Sequence, residues 1–353
     1  MANFMRDQRE ILVVGGGVVG LATAEALLQS GFHVTILERG MVARESSWAG
    51  GGILSPLCPW DYPDEVTRLT GCSAMLFSSW ARDLHAATGI DPEYQVNGML
   101  ILPPFDKAGA QHWCATHAMR MDEEDGGLLL PDVAQVRNPR LAQALRARVE
   151  QLGGNIVEQC EVQFVKADGG RVCHLTTSRG EFSAERYIIT AGAWSKQVLG
   201  EYALQLDIKP IRGQMLLFKF AAPPLPHIVL QDGMYLIPRR DGHLLVGSTL
   251  EDVGFDKSTT AEARDSLWQR AQVLLPQLRD MPLVQHWSGL RPASPHNIPT
   301  ISRHPQLENL YINSGHFRYG VTMAPASVEI LLNELNGAAQ PFDVAPYRAG
   351  WGI

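Results

Sequence analysis

The sequence has 353 residues, of which 45% are hydrophobic and 19% are charged, and its formal net charge is −7. This length supports a large buried core in one or two domains. The acidic balance argues against a general nucleic-acid-binding protein.

Cysteine spacing and hydropathy narrow the class of protein further. The five cysteines are odd in number and widely spaced, which predicts reduced thiols, and no His or Cys spacing indicates a metal site. Residues 1–10 are polar and therefore do not resemble a secretory signal. No apolar run approaches the roughly 18 residues that cross a bilayer. We therefore expect a cytoplasmic protein that contacts neither a membrane nor a nucleic acid.

A complete β-α-β unit is predicted at the start of the chain. Residues 11–14 are an apolar, β-branched run, which is typical of a strand buried on both faces. A helical pattern follows over residues 21–28, and residues 33–37 form a second strand. The loop between the first strand and the helix has the pattern GxGxxG.

Each glycine of this pattern has its own physical task. Gly15 permits a tight turn, Gly17 lets the backbone approach a pyrophosphate, and Gly20 allows the helix to pack close to the strand. The helix N-terminus adds free N–H groups and the positive end of a dipole. Glu38, at the tip of the second strand, would accept hydrogen bonds from ribose hydroxyls and disfavours a 2′-phosphate. The unit predicts FAD or NAD rather than NADP.

The segments after Glu38 distinguish between these two cofactors. Residues 46–54 form a loop of small residues that could lie against a flat ring, although a flexible surface loop has the same composition. Three later segments carry more information: a strand that ends in Ala-Gly-Ala-Trp at 191–194, Gly-Leu-Arg-Pro at 289–292, and a strand over 310–313 that leads into Gly-His-Phe-Arg.

Together these segments resemble the D-amino-acid oxidase superfamily of FAD-dependent amine oxidases, and within it the bacterial glycine oxidase family. The resemblance runs from Glu10 to Gly337. It implies FAD as the cofactor, a small amino acid and molecular oxygen as partners, and a homotetramer. It also implies a role in supplying the thiazole branch of thiamine biosynthesis.

The resemblance implies an α/β fold class, with a Rossmann-like FAD-binding domain interleaved with a substrate domain that is built on an antiparallel sheet. The residues support such a division, because 209–250 contain strand patterns without alternating helices and a hairpin turn at Asp241-Gly242. We assign residues 1–84, 136–204 and 288–353 to the FAD-binding domain and residues 85–135 and 205–287 to the substrate domain.

Residues 155–165 are interpreted as one strand that returns to the FAD sheet after a helix starting at Asn138. The resemblance implies that Val162 presents its backbone to the adenine, although an ordinary core valine fits nearly as well. No cysteine follows Cys173, so the cysteine–flavin linkage of some sarcosine oxidases is excluded and FAD is expected to be noncovalent. The residues implied to bind it are Gly15, Gly17, Val18, Val19, Gly20, Glu38, Arg39, Ser46, Ser47, Gly51, Gly52, Ile53, Val162, Gly192, Trp194, His316, Phe317, Arg318, Tyr319, Gly320, Val321 and Thr322.

A flavin amine oxidase needs few catalytic side chains, because hydride passes from the substrate α-carbon to flavin N5 and the protein supplies position and electrostatics. The resemblance implies that Arg291 binds the substrate carboxylate, for which an arginine fork is suited. It also implies that Tyr235 shares the carboxylate and that Arg318 contacts the substrate or gates the site. Ordinary surface arginines and a half-buried strand tyrosine are the alternatives.

The leading interpretation is an oxidase that converts glycine, sarcosine or D-alanine to a keto acid, ammonia or an amine, and hydrogen peroxide. A D-amino-acid dehydrogenase, a sarcosine oxidase, the flavin module of a tRNA-modifying enzyme and a non-catalytic dinucleotide sensor are the alternatives. The substrate ranking stays open because Leu250, Ile53 and Gly233 depart from the family pattern near the pocket.

Overall fold

The structure is a computed structural model that describes residues 10–352. The first nine residues, which belong to the predicted FAD-binding domain and to the polar segment compared with a secretory signal, lie outside the described residues. Residue 353, the last of that predicted domain, also lies outside them.

The strands account for most of the framework around the site. In chain order they are β1 Glu10–Val14, β2 His33–Leu37, β3 Gln95–Val96, β4 Met99–Leu102, β5 Asp122–Glu124, β6 Gly127–Leu130, β7 Ala134–Gln135, β8 Asn155–Val157, β9 Val162–Asp168, β10 Arg171–Thr177, β11 Gly180–Phe182, β12 Arg186–Ile189, β13 Lys209–Lys219, β14 Ile228–Gln231, β15 Met234–Pro238, β16 His243–Gly247, β17 Gln285–Ala293, β18 Thr300–Arg303 and β19 Leu310–Ser314.

Helices cover the sheets and connect their strands. In chain order they are α1 Val18–Gln29, α2 Ser46–Ala49, α3 Asp64–Thr88, α4 Lys107–Thr116, α5 Asn138–Gln151, α6 Ser195–Leu199, α7 Ala261–Leu274, α8 Gly320–Asn336 and α9 Ala345–Arg348. Between residues 10 and 352, none of the helices has the length and apolar character that crossing a membrane requires.

The first sheet has the order β18-β19-β12-β1-β2-β8, and its strands are parallel apart from the antiparallel edge strand β18. Residues 11–14 of β1 are buried, as the apolar run predicts for a central strand. One face packs against α1, α5 and α8, and α3 packs in turn on α5 and α8. The other face carries a separate apolar cluster that includes Leu12 and Ile189. Because β1, β2, β12 and β19 are parallel, their C-terminal ends meet along one edge.

The second sheet has the order β17-β13-β16-β15-β14-β4-β6-β5. Its neighbours are antiparallel, as predicted, except for the parallel pair β4 and β14, which are separated by more than a hundred residues and need no hairpin. The predicted hairpin joins β15 to β16. The expected α/β fold class is confirmed. β17 pairs with β13 along residues 285–293, so the predicted domain boundary between 287 and 288 falls inside a strand.

The prediction of a single strand over residues 155–165 is wrong. β8 ends at Val157 in the first sheet, and β9 begins at Val162 in a separate sheet of order β11-β10-β9. The chain turns between these strands at Gln159, which has a φ of 55°. The turn is held by the N–H of Cys160, which donates to the carbonyl of Glu38 at 2.8 Å. Alternating apolar residues on both sides of the turn give no signal of this break.

Candidate active site

A cavity of about 520 Å³ lies along the C-terminal edge of the parallel strands and extends to the second sheet. It passes Glu38 after β2, Gly15 after β1 and Gly192 after β12, and it reaches Tyr235 of β15 and Arg291 of β17. Open α/β sheets bind ligands at the C-terminal edge of their strands, at the point where the strand order reverses. The cavity therefore joins a dinucleotide-binding edge to side chains from the antiparallel sheet.

The structure brings nearly all of the predicted site residues to this one cavity. Gly20 is the exception among them, because a Cβ on Gly20 would overlap the carbonyl oxygen of Gly15 rather than point into the cavity. That contact fits the close packing of helix on strand predicted for this position. The predicted residues that line the cavity are Gly15, Gly17, Val18, Val19, Glu38, Arg39, Ser46, Ser47, Gly51, Gly52, Ile53, Val162, Gly192, Trp194, Tyr235, Arg291, His316, Phe317, Arg318, Tyr319, Gly320, Val321 and Thr322.

The glycine-rich loop is shaped by two different requirements. Gly15 has a φ of +109°, and a Cβ there would be 2.6 Å from the carbonyl oxygen of Thr190, so the protein's own backbone demands glycine. Gly17 has an ordinary φ of −76°, and a Cβ there would meet only Ser47 Oγ, at 3.0 Å. The open space beside Gly17 belongs to the cavity, next to the N-terminus of α1.

Glu38 is fixed at the end of β2 by two backbone amides. Its Oε2 accepts a hydrogen bond from Gly16 N at 2.8 Å, and its Oε1 accepts one from Gly40 N at 2.8 Å. The side chain is buried and lines the cavity. These contacts hold the Glu38 carboxylate in the cavity wall, where it is predicted to accept hydrogen bonds from the ribose hydroxyls.

Arg39 and Trp194 form the neighbouring part of the wall. The guanidinium carbon of Arg39 lies 3.6 Å from the centroid of the indole ring, which is a cation–π contact. Arg39 Nη2 also donates to Glu45 Oε1 at 2.9 Å. Phe255 packs on Trp194 with ring centroids 5.4 Å apart, so a loop from the second sheet reaches this end of the cavity.

The loop at residues 50–53 is held between the two sheets. A Cβ on Gly51 would lie 2.5 Å from Ile237 Cδ1 of β15, and the carbonyl of Ile53 accepts a hydrogen bond from Thr322 Oγ1 of α8 at 3.0 Å. Gly52 has a φ of +76°. The loop is therefore a rigid wall of peptide groups rather than the flexible surface loop that its composition also fitted.

Arg291 presents its guanidinium group to the end of the cavity on the second sheet. Its Nη2 donates to Ser248 Oγ at 2.6 Å, and its Nη1 donates to the carbonyl of Thr249 at 3.1 Å. Burial lowers the pKa of Arg291, the hydroxyl of Tyr235 opposes this effect, and the positive charge of Arg318 adds to it. Two neighbouring guanidinium groups make this end of the cavity suited to an anion such as a carboxylate.

Tyr235 and the segment that carries Arg318 complete this end. Tyr235 is buried, and its hydroxyl donates to Met215 Sδ at 3.5 Å. The N–H of Phe317 donates to the carbonyl of Pro292 at 2.9 Å, so the two sequence motifs at 289–292 and 315–318 are in direct contact. Tyr319 begins the turn into α8, and its hydroxyl contacts Tyr62. Burial raises the pKa of Tyr319 well above its usual range.

Three buried polar side chains in the cavity wall lack hydrogen-bond partners within residues 10–352. They are Asn138 through its Oδ1, His316 through its Nε2, and Asn313 through both amide atoms. Unpaired buried polar atoms are unfavourable, so these groups point to a ligand with many hydrogen-bonding atoms. The hydroxyls, phosphates and carbonyls of FAD supply such atoms, and the residues present therefore fit this cofactor.

Sequence reasoning missed Asn138 and Asn313 as site residues. Asn138 was interpreted only as a helix start, and Asn313 only as the end of a strand. For Asn313 the available signal was a polar residue at the C-terminal end of a buried parallel strand. Asn138 begins α5 after the short antiparallel strand β7 and carries no such signal. Three residues depart from the family pattern, and one of them, Ile53, lines the cavity. Leu250 does not line it and is 56% exposed, and Gly233 lies in the turn between β14 and β15.

Comparisons with known proteins agree on one family. Residues 10–333 match the family model described as FAD dependent oxidoreductase. Glycine oxidase of Pseudomonas aeruginosa is 44% identical over 96% of this chain and 97% of its own length. The bifunctional protein ThiO/ThiG of Synechocystis is 31% identical over 93% of this chain and 51% of its own length. The crystal structure of glycine oxidase from Geobacillus kaustophilus has a TM-score of 0.89 at 26% identity and covers 96% of this chain and 98% of its own.

Proposed function

The chain belongs to the family of FAD dependent oxidoreductases, and we propose that its substrates are glycine and other small amines such as sarcosine and D-alanine. Family membership confirms the resemblance found in the motifs, FAD as the cofactor, and the class of FAD-dependent amino-acid oxidase. The substrate proposal is supported by the similarity to glycine oxidases and by the chemistry of the cavity end.

The observation that carries the substrate proposal is the position of Arg291 beside Tyr235 and Arg318 in the cavity wall. A guanidinium fork binds a carboxylate through two parallel charged hydrogen bonds. The Gly51–Gly52 wall lies against Tyr235, since a Cβ on Gly51 would be 3.4 Å from its ring. We infer that Arg291 orients an α-amino acid by its carboxylate at this end of the cavity, beside Tyr235.

When it is bound, FAD supplies the acceptor for the hydride that leaves the α-carbon. The protein residues bind and orient the substrate: Arg291 neutralises the carboxylate, and Ser248 holds the guanidinium in place. The N-terminus of α8, at Gly320, directs a positive dipole end into the cavity. The proposed overall reaction converts glycine, oxygen and water to glyoxylate, ammonia and hydrogen peroxide.

Addition of glycine to the purified protein under anaerobic conditions tests this function. We expect the visible absorption bands of FAD to bleach, and readmission of oxygen to restore them with one hydrogen peroxide per glycine oxidised. Flavin bands that glycine, sarcosine and D-alanine all leave unchanged would contradict the substrate proposal. Bleaching without peroxide would instead indicate a dehydrogenase with another electron acceptor.

We further propose that the reaction supplies the thiazole branch of thiamine biosynthesis, as the sequence resemblance implies. Similarity to the bifunctional ThiO/ThiG proteins supports this role. Deletion of the gene should then create a thiazole requirement that the wild-type gene relieves. Growth of the deletion strain without thiazole would contradict it.

The remaining proposals rest on the family resemblance and on sequence patterns. We propose a homotetramer, located in the cytoplasm, whose FAD-binding and substrate domains follow the interleaved division given above. Light scattering of the purified protein tests the tetramer, and cell fractionation tests the location. Limited proteolysis, with cleavage expected at the exposed Gln205 between the second and third predicted segments, tests one boundary of the division.

A further inference from the structure

Arg239 is a buried arginine immediately after β15 that does not itself line the cavity. It is 4% exposed and makes three hydrogen bonds, one to the loop at 50–53 and two to residues at the end of β7. Its Nη2 donates to the carbonyl of Gly51 at 2.6 Å, and its Nη1 donates to Gln135 Oε1 at 2.6 Å and to the carbonyl of Val136 at 2.8 Å.

All three acceptors of Arg239 are neutral. Glu93 and Asp241 attract the Arg239 charge without contacting it, but each is paired with Arg137, at 3.0 Å and 2.8 Å, and Arg137 itself repels that charge. Burial lowers the pKa of Arg239 to about 9, which is still well above neutral pH. The guanidinium therefore keeps a positive charge that no contacting carboxylate neutralises.

The bond to Gly51 also sets the direction of the next peptide group. The carbonyl oxygen and the following N–H of a trans peptide point in opposite directions, so a Gly51 carbonyl held by Arg239 turns the N–H of Gly52 away from Arg239. Gly51 and Gly52 line the cavity next to Tyr235, at the end opposite Glu38. Since Glu38 marks the ribose of the adenosine, this opposite end is where the flavin ring would lie.

We propose that Arg239 is a positioning residue for the cofactor, which fixes the Gly51–Gly52 peptide in the cavity wall and places behind it a positive charge that no carboxylate contacts. The inference depends on FAD occupying the cavity and not on which amine is oxidised. A fixed positive charge stabilises an anion in a poorly solvated site, and reduced flavin is more negative than oxidised flavin. Removing the charge should therefore make the bound flavin harder to reduce.

Two variants separate charge from position. Arg239→Gln removes the charge and keeps hydrogen-bond donors, so we expect a more negative reduction potential for the bound flavin, measured against a reference dye. Arg239→Lys keeps the charge but cannot span three acceptors. For it we expect a potential close to that of the wild type and a dissociation constant for FAD raised at least fivefold.

Arg240→Gln is the matched control, because the neighbouring Arg240 is exposed and donates to the carbonyl of Tyr94. It should leave both the potential and the FAD affinity unchanged. A potential in Arg239→Gln equal to that of Arg240→Gln would overturn the proposal. If Arg239→Gln does not fold, an unchanged FAD affinity in Arg239→Lys would overturn it. No amine substrate is used, so failure of glycine oxidation leaves these measurements interpretable.

Discussion

Gly213 lies directly beneath the guanidinium group of Arg291, so that a Cβ at position 213 would overlap both terminal nitrogens. Gly213 of β13 is paired in register with Gly289 of β17, and a Cβ on Gly289 would be 2.5 Å from the Cβ of Ala49. One glycine thus makes room for the arginine and the other for α2. The position of the guanidinium depends on a residue that has no functional group of its own.

Gly213→Ala should therefore displace the Arg291 guanidinium while leaving FAD bound. A misplacement of about 1 Å costs about 100-fold in rate, and we expect a fall of this order in kcat/KM for glycine, measured as peroxide formation. Gly71→Ala is the control, since Gly71 lies in α3 with no atom within 4 Å of an added Cβ. Equal values of kcat/KM in the two variants would show that Gly213 does not position the arginine.

Substitutions in the glycine-rich loop should separate cofactor binding from folding. Gly17→Val places a side chain in the cavity beside Ser47, so the protein should purify without FAD while its free energy of unfolding changes by less than about 1 kcal/mol. Gly20→Ala overlaps the backbone of Gly15 and should destabilise the apoprotein by about 1–3 kcal/mol. Urea unfolding and FAD titration measure the two effects. A yellow Gly17→Val protein with normal FAD affinity would contradict this assignment.

The sequence was sufficient to predict the features that depend on neighbouring residues. The strand–loop–helix unit around Gly15 and the hairpin of β15 and β16 follow from local periodicity and turn residues, and the structure contains both. The match to a known pattern singled out Arg291 because its flanking residues are contiguous.

The features that sequence reasoning missed depend on contacts between distant residues. Arg239 donates a hydrogen bond to Gly51, which is 188 positions away in the sequence. Gly213 makes room for Arg291 only because β13 pairs with β17. Asn313 becomes a site residue only when β19 lies beside β12 and its amide is buried without a partner. No local pattern distinguishes Arg239 or Gly213 from an ordinary polar or small residue in or next to a strand.

Burial of His316 should make the FAD-free protein sensitive to acid. Burial lowers the pKa of His316 to about 3, whereas an unfolded histidine titrates near 6.5. As the pH falls from 6.5 toward 3, the unfolded chain binds a proton that the folded chain does not, so the free energy of unfolding falls by up to about 1.4 kcal/mol per pH unit. His316→Gln should remove this contribution, as urea unfolding at pH 7, 6 and 5 would show.

The control for that experiment is His85→Gln, which removes an exposed histidine of α3. It should keep the pH dependence of the wild type. Stability curves of His316→Gln and wild type that run parallel between pH 7 and pH 5 would mean that His316 takes up a proton in the folded protein.

Arg291→Ala tests the substrate site directly. If the guanidinium binds the substrate carboxylate, the variant leaves a negative charge unpaired in a poorly solvated cavity, at a loss of about 2–5 kcal/mol, or roughly 30-fold to several-thousand-fold in kcat/KM for glycine. An amine without a carboxylate should lose far less, and Arg291→Lys should be intermediate because it keeps the charge without the fork. The exposed Arg303 of β18 supplies the control Arg303→Ala. Near-normal oxidation of glycine by an FAD-loaded Arg291→Ala protein would transfer the carboxylate-binding role to Arg318, whose charge already influences Arg291 in the same cavity.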